Sequence, residues 1–307
     1  MKKYCIGIDG GGTKTLAYLA DLEGNIVDKT LLGPSNFYSI GEKETMQVFA
    51  TIISVFVEKN QLKEEDLVFT SMGLAGVDRE VDKKTIYDIW RKIGFKGDIY
   101  VYNDAHAALV GGLQKTEGII LVSGTGSIAT GLRNGKLIRS GGWGHILSDQ
   151  GSGYDIGLKG LQAVMASYDQ RLGKTLMTHK VLDELNINHP EDVISFVHHS
   201  DTDKSHIANM AKVVIDSANE GDQIAKSILE GAWQSLVLLS KAVIGQLYHQ
   251  DERIEMTYMG GIITNVDLIR EPFVQKMQSI YPYLTIKKPA QDAAIGALLL
   301  GQSEHNR

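Results

Sequence analysis

Ser123-Gly124-Thr125-Gly126-Ser127-Ile128-Ala129 is the stretch on which the fold of this chain turns. It follows the apolar run 119–122 and matches G-x-G-x-x-A, the spacing of a dinucleotide-binding loop. That reading requires a helix to open at the third small residue, because the pyrophosphate rests on a helix N-terminus. Here Asn134-Gly135 stands between two short apolar runs, 128–132 and 137–140, which is a hairpin signature. No acidic residue closes a βαβ unit at the distance a ribose contact needs, since Asp149 lies beyond a glycine-rich turn. The loop therefore reads as one held between strands, with backbone N–H groups available to phosphate.

The same arrangement stands at the beginning of the chain. Residues 4–8 read as a short apolar strand, followed by Asp9-Gly10-Gly11-Gly12-Thr13-Lys14-Thr15, a second strand over 16–20, a turn over 21–25 and a third strand over 26–32. The three glycines let a ligand approach the backbone without a Cβ in the way. This is not a Walker A loop, because Lys14 follows a threonine and strand-like residues come next. Alone, such a loop is equally well a tight hairpin. Two copies of strand, Gly/Thr loop, strand, turn, strand predict two similarly built domains.

The rest alternates. Met46, Phe49, Ile53, Phe56 and Val57 give 42–60 a helical period. A strand is expected over 67–74, a helix over 81–93, and a strand over 99–102 that ends at Asn103-Asp104. Asp104 is expected to N-cap a small-residue helix over 105–113. This order after the meander predicts parallel strands with crossover helices. From 153 to 249 the chain reads as mostly helical. A strand over 254–259, a turn at Gly260-Gly261, a helix over 266–280, a strand over 284–287 and an Ala/Gly-rich helix over 289–301 complete it. The domain boundary is placed near residue 115, giving an N-terminal domain 1–115 and a C-terminal domain 116–307 with helical insertions. The closing helix 289–301 is a candidate to pack back on the first domain.

Composition narrows the function classes. Of 307 residues 43% are apolar and 22% charged, ordinary proportions for a soluble globular protein. No uninterrupted apolar run approaches the roughly 18 residues of a membrane span, and the N-terminal apolar stretch runs straight into glycines and an aspartate, as a strand does and a signal peptide does not. Net charge is −6 with Lys and Arg scattered, so no basic stripe suggests nucleic acid. The single cysteine, Cys5, allows neither an internal disulfide nor a multi-cysteine metal site within one chain, and a cytoplasmic location is the default expectation.

Two strand-hairpin phosphate loops in repeated domains can clamp the β- and γ-phosphates of ATP between two halves. The chain resembles the actin-like ATPase and sugar kinase superfamily, and within it the N-acetylglucosamine kinase branch of the BadF/BadG/BcrA/BcrD ATPase family. The resemblance covers essentially the whole chain. It rests on Gly7-Ile8-Asp9-Gly10-Gly11-Gly12-Thr13-Lys14-Thr15, Ser123-Gly124-Thr125-Gly126-Ser127, Gly141-Gly142-Trp143-Gly144, Ser148-Asp149-Gln150-Gly151-Ser152-Gly153 and Gly260-Gly261. It implies an α/β fold of two actin-like (ribonuclease H-like) domains with a nucleotide and substrate cleft between them, closing over the sugar.

A kinase of this kind needs a base for the attacking hydroxyl, and most of the rest is positioning and charge neutralisation. Asp104 is the candidate, at the C-terminal end of a parallel strand, where open α/β sheets place their ligands. Its expected position as a helix cap would keep the carboxylate ionised, and capping is also its bland alternative role. The resemblance places Asp9 near Mg²⁺, through water. It assigns ATP phosphate contacts to Gly11, Gly12, Thr13, Gly124, Thr125 and Gly126, with Lys14 either on phosphate or a solvated edge residue. Gly260 and Gly261 match the family's adenosine loop, and Asn265 is read as the cap of the helix at 266 in preference to a nucleoside contact. On the acceptor side the resemblance assigns Asn36 to the sugar and its N-acetyl group, Gly142, Trp143 and Gly144 to an acceptor-contact loop, and Asp149 to sugar hydroxyls. Tyr38 falls where the family often has an aromatic near the acetyl methyl.

Three functions can be set against these residues. The first is a kinase acting on the 6-hydroxyl of an N-acetylhexosamine, with sugar and ATP as its partners, Mg²⁺ as cofactor, neither membrane nor nucleic acid, and a homodimer as an open expectation. N-acetylglucosamine suits Asn36, N-acetylmuramic acid would add a lactyl carboxylate for which no Lys or Arg is singled out, and glucosamine would lack the acetyl. The second is an activator ATPase of a 2-hydroxyacyl-CoA dehydratase, whose dimers share a [4Fe–4S] cluster on two cysteines per subunit; one cysteine excludes it. The third is a non-catalytic sugar-sensing module, disfavoured by the presence of Asp104. Ser148 and Gln150 depart from the Gly and Glu that usually flank the family's Asp at 149. His198, His199 and His206 read as a solvated helical face.

Overall fold

Two five-stranded sheets carry the chain, and they have the same strand order. A computed structural model describes residues 2–307. The first sheet contains β1 (Tyr4–Gly10), β2 (Thr15–Asp21), β3 (Ile26–Leu32), β4 (Leu67–Leu74) and β5 (Asp98–Asn103), in the order β3-β2-β1-β4-β5. The second contains β6 (Gly118–Ser123), β7 (Ser127–Arg133), β8 (Lys136–Gly141), β9 (Ile254–Met259) and β10 (Leu284–Lys287), in the order β10-β9-β6-β7-β8. Reversed, the second order superposes on the first: a three-stranded meander forms one side and two later strands extend the other. The repeat read from the two glycine loops is thus a repeat of topology.

The chain divides into two units, residues 1–118 with 288–307, and 119–287. In the first, β1 pairs antiparallel with β2 and parallel with β4, and β4 pairs parallel with β5. Parallel pairing needs crossovers, supplied by α2 (Glu42–Asn60) after the short α1 (Phe37–Ile40), and by α3 (Glu80–Lys92). Phe49, Phe56 and Trp90 from these helices lie fully buried against Ile6, Ile8 and Met72 of the sheet. β5 runs directly into α4 (Asp104–Leu113).

In the second unit a helical segment separates β8 from β9: α5 (Gly153–Tyr168), α6 (Met177–Leu185), α7 (Val193–His198), α8 (Lys204–Asn209), α9 (Ala211–Asn219) and α10 (Gln223–Leu247). By length and composition alone α10 is apolar enough to cross a membrane. It is the core helix of this unit, with Leu229, Leu236, Val243 and Ile244 buried in the same cluster as Ile119 and Leu121 of β6. After β9 come α11 (Gly261–Asn265) and α12 (Asp267–Ile280), so a short helix stands where Gly260-Gly261 was expected to make only a turn.

The last helix, α13 (Ala293–His305), packs in the first unit on α4, β1 and β4. The α4 contact depends on Gly111 and Gly296: a Cβ on Gly296 would collide with the Ala107 carbonyl, and one on Gly111 with the Asp292 carbonyl. Glycine is spent here, at a cost in helix propensity, so that two helix backbones can touch. The contact fixes the head of α13, and with it Asp292, beside the ends of the strands.

Candidate functional site

The first glycine loop joins β1 to β2. Gly11 N donates to Lys14 O at 3.0 Å, which closes the turn, and Gly12, Thr13 and Lys14 are exposed. A Cβ on Gly12 would meet nothing within 4 Å, so the backbone there faces open space. The loop is tied to the segment that follows β3: Ser35 N and Asn36 N both donate to Gly11 O, and Thr15 Oγ1 hydrogen-bonds Gly33 O and Ser35 Oγ, each at 2.8 Å. A candidate phosphate loop and a candidate acceptor residue, Asn36, are therefore one connected piece. Asn36 caps α1, its Oδ1 accepting from Tyr38 N at 3.0 Å, while its Nδ2 lies beside Gly76.

Asp9 is the penultimate residue of β1, and burial pushes its carboxyl up to about 6, with the charges of Asp104 and Asp292 adding to the rise and Lys14 opposing it. Two carboxylates, Asp104 and Asp292, thus act on Asp9 near the end of β1. The sequence reading passed over Asp292. Its signal was an aspartate ahead of the Ala/Gly run 293–301, a helix-start pattern hidden by beginning that helix at 289. Asp292 Oδ1 caps α13 by accepting from Ile295 N at 3.0 Å, and Oδ2 accepts from Tyr18 Oη at 2.8 Å.

Asp104 needs a correction. It is the first residue of α4 and not its cap; the cap is Asn103, whose Oδ1 accepts from Ala105 N at 2.8 Å. Nor does the helix end keep the carboxyl low. Burial raises it, with the Asp78 charge adding, against two lowering backbone hydrogen bonds, from Ala105 N and from its own N–H. Desolvation outweighs these two backbone donors, and a carboxylate held this way is a stronger base.

Among the described residues no group of three or more His, Cys, Asp or Glu is placed to hold a metal directly. The carboxylates suit a cation that keeps its water: Asp9 is strained by two like charges that a hydrated Mg²⁺ would relieve, and Mg²⁺ keeps much of its hydration shell. Asp9 and Asp292 are the residues that would hold it. The histidines at 198, 199 and 206 form no such group either.

In the second unit the loop between β6 and β7 is clasped from behind. Gly124 N donates to Gly126 O, Gly153 N to Gly124 O at 2.7 Å, Ser123 Oγ to Gly151 O and Ser127 Oγ to Gln150 O, both at 2.8 Å. Asp149 is only 5% exposed, its Oδ1 accepts from Ser127 N at 3.3 Å, and it lies under Gly126. Thr125 is left exposed at the tip. Gly260, at φ 101°, presses on Ser123, where a Cβ would strike the carbonyl, so Gly260-Gly261 and loop 123–127 form one surface. Asn265 does not cap the helix after it: it ends α11, and Val266 stands at the head of α12 with no side-chain cap bond. Trp143 is 59% exposed between Gly142 and Gly144, with the Arg139 guanidinium 3.9 Å above its ring. A separate cavity of about 770 Å³, lined by Leu158, Leu161, Val193 and Val197 among others, contains none of the expected site residues.

A second cluster was also missed. Tyr38, Arg79 and Asp82 are hydrogen-bonded together next to Gly76, and Asn103 Nδ2 donates to Asp78 Oδ1 at 2.6 Å. No local motif in the sequence reports a contact between residue 38 and residues 79–82; it exists only because α1 is folded against the turn after β4.

Comparison with known proteins gives this geometry a context. The model of the BadF/BadG/BcrA/BcrD ATPase family matches residues 6–301. An N-acetylmuramic acid/N-acetylglucosamine kinase of Clostridium acetobutylicum is 39% identical over 303 residues, 98% of this chain and 99% of that protein. An N-acetyl-D-glucosamine kinase of Dictyostelium discoideum is 32% identical, over 97% of this chain and 98% of that one. A solved structure from Chromobacterium violaceum, with N-acetylglucosamine kinase as its expected activity, aligns with a TM-score of 0.79 at 24% identity, covering 97% of this chain and 98% of the other. The last shows the fold, which is that of actin-like sugar kinases.

Proposed function

We propose an activity from one premise: the chain belongs to the BadF/BadG/BcrA/BcrD ATPase family. It is an ATP-dependent amino-sugar kinase that transfers the γ-phosphoryl group to the 6-hydroxyl of an N-acetylated amino sugar: N-acetylglucosamine, N-acetylmuramic acid or both. The observation that carries this reading is Asp9, beside an open glycine loop, with the charges of Asp104 and Asp292 both acting on it. A phosphoryl transfer needs a base, a place for a cation and backbone donors for phosphate, and little else from the protein.

In this reading Asp104 takes the proton of the attacking hydroxyl as the phosphorus–oxygen bond forms, and its raised affinity for protons suits it to that step. Gly11, Gly12 and Thr13, with Lys14 beside them, present N–H groups and charge to phosphate oxygens, as Gly124, Thr125 and Gly126 do in the other unit; Gly260 and Gly261 hold the adenosine. Asp9, helped by Asp292, would hold Mg²⁺, and the bound cation would neutralise charge on the phosphates. Asn36 offers its free Nδ2 to the acetyl carbonyl. Gly142, Trp143, Gly144 and Asp149 complete the acceptor set, with one oxygen of Asp149 anchored on Ser127 N. A cytoplasmic location accords with ATP as donor.

The activator-ATPase reading loses further ground on Cys5. It is fully buried in β1, and burial pushes its thiol up to about 12, the reverse of what a cluster ligand needs. The kinase reading is tested by ADP release with Mg-ATP against N-acetylglucosamine, N-acetylmuramic acid, glucosamine and glucose, with Asp104→Asn as control. Acceleration by an N-acetylated sugar and its loss in the variant are expected; acceleration by no sugar would sink the reading.

A further inference from the structure

Asp82 is 3% exposed and accepts four hydrogen bonds. Oδ2 takes Arg79 N at 3.0 Å and Arg79 Nε at 3.1 Å, and Oδ1 takes Arg79 Nη2 at 2.9 Å and Tyr38 Oη at 2.7 Å. These contacts, Arg79 foremost, hold the Asp82 carboxyl down at about 2, so it stays charged. Arg79 Nη2 also bonds Tyr38 Oη. The guanidinium is thus fixed from behind through Nε and Nη2 while its side chain is 67% exposed, and among the described residues its Nη1 makes no hydrogen bond. Capping α3 does not require it, because the cap bond on Asp82 comes from the backbone N of residue 79.

Its place relative to the acceptor residues gives this arrangement meaning. Asn36 Nδ2 and the Tyr38 ring both stand 3.4 Å from where a Cβ of Gly76 would be, so Asn36, Tyr38 and Arg79 form one continuous edge. At the other end of the same turn Asp78 is tied to Asn103, and its charge acts on Asp104. On a hexosamine ring the acetamido carbon is bonded to the carbon that carries O3. With an acetamido group at Asn36 and Tyr38 and the C3 side of the ring turned along the edge, an O3 substituent comes next, at Arg79. Asp78 disfavours an anion near Asp104, and a guanidinium pre-oriented by Asp82 meets one with little further ordering cost.

Building on the acceptor site proposed above, we propose that Arg79 is a specificity residue for a carboxylate carried on the 3-oxygen of an N-acetylhexosamine, the chemistry of N-acetylmuramic acid. Asp82 and Tyr38 are its positioning residues, and Nη1 is the donor left for the ligand.

The test compares kcat/KM for N-acetylmuramic acid, its methyl ester and N-acetylglucosamine in the wild type, Arg79→Ala and Arg79→Lys. The ester keeps the bulk and loses the charge. The wild type is expected to prefer acid over ester by about tenfold or more, the yield of one charged hydrogen bond. Arg79→Ala should abolish that preference, chiefly through KM, and Arg79→Lys should keep part of it. Equal use of acid and ester by the wild type, or an equal loss on all three sugars in Arg79→Ala, overturns the inference. Turnover of N-acetylglucosamine without N-acetylmuramic acid overturns it alone; turnover of no sugar fails the acceptor reading and this inference with it.

Discussion

Tyr18 donates its hydroxyl to Asp292 Oδ2 at 2.8 Å, joining β2 to the head of α13 across 274 positions of sequence. The bond holds a second carboxylate near Asp9: burial, with Asp292 adding, lifts the Tyr18 hydroxyl to about 12, and the Asp292 charge adds to the burial-driven rise of Asp9 to about 6.

A pH dependence follows from Asp9. Its folded-state value of about 6 lies above the ordinary 3.8, so the folded chain holds the proton more tightly than the unfolded one. That contribution is complete below pH 3.8 and is lost as pH rises through about 6, amounting to roughly 3 kcal/mol without cation. Asp9→Asn should therefore raise the metal-free melting temperature at pH 7.5 and change it little at pH 4. Calorimetry at the two values checks this; equal shifts at both would refute the burial-driven rise.

Asn103 and not Asp104 caps α4, so their substitutions should separate. Asn103→Ala is expected to cost about 1 kcal/mol in chemical denaturation, the worth of a cap. Asp104→Asn should not lower stability at neutral pH, because burial already disfavours the charged carboxyl, while it lowers kcat by about 10²- to 10⁴-fold, the range for a general base. A larger stability loss at Asp104 than at Asn103 would restore Asp104 as the cap.

Gly12 faces open space, so Gly12→Ala should stay within about 0.5 kcal/mol of the wild type in denaturant. The same methyl would stand where phosphate oxygens approach the loop. Calorimetric titration with a non-hydrolysable ATP analogue is expected to show weaker binding in this folded variant; unchanged affinity would remove loop 11–14 from the phosphate site.

Gly296 has no such freedom. A Cβ there collides with the Ala107 backbone, which cannot rotate aside, and Gly296→Ala should destabilise by about 1–3 kcal/mol. Because α13 carries Asp292, the variant should also weaken Mg²⁺ binding, read by titration with Mn²⁺ as a spin probe. A variant as stable as the wild type would contradict the close α4–α13 approach.

The sequence by itself determined the repeated strand-loop-strand plan, because its signals are local: Asn134-Gly135 compels a hairpin, glycines punctuate both loops, and helix 42–60 and strand 67–74 were read at their observed bounds from side-chain periodicity. It also located Asp104 at a strand end, though the cap beside it fell one residue earlier, on Asn103, since either residue can cap and only the backbone angles choose. Tertiary structure alone decided which charges meet. Asp292 reaches Asp9 because two glycines let α13 lie on α4, and Arg79 reaches Tyr38 because α1 folds onto the turn after β4. Those pairings are set by packing between segments far apart in the chain, and neither periodicity nor local composition carries that information.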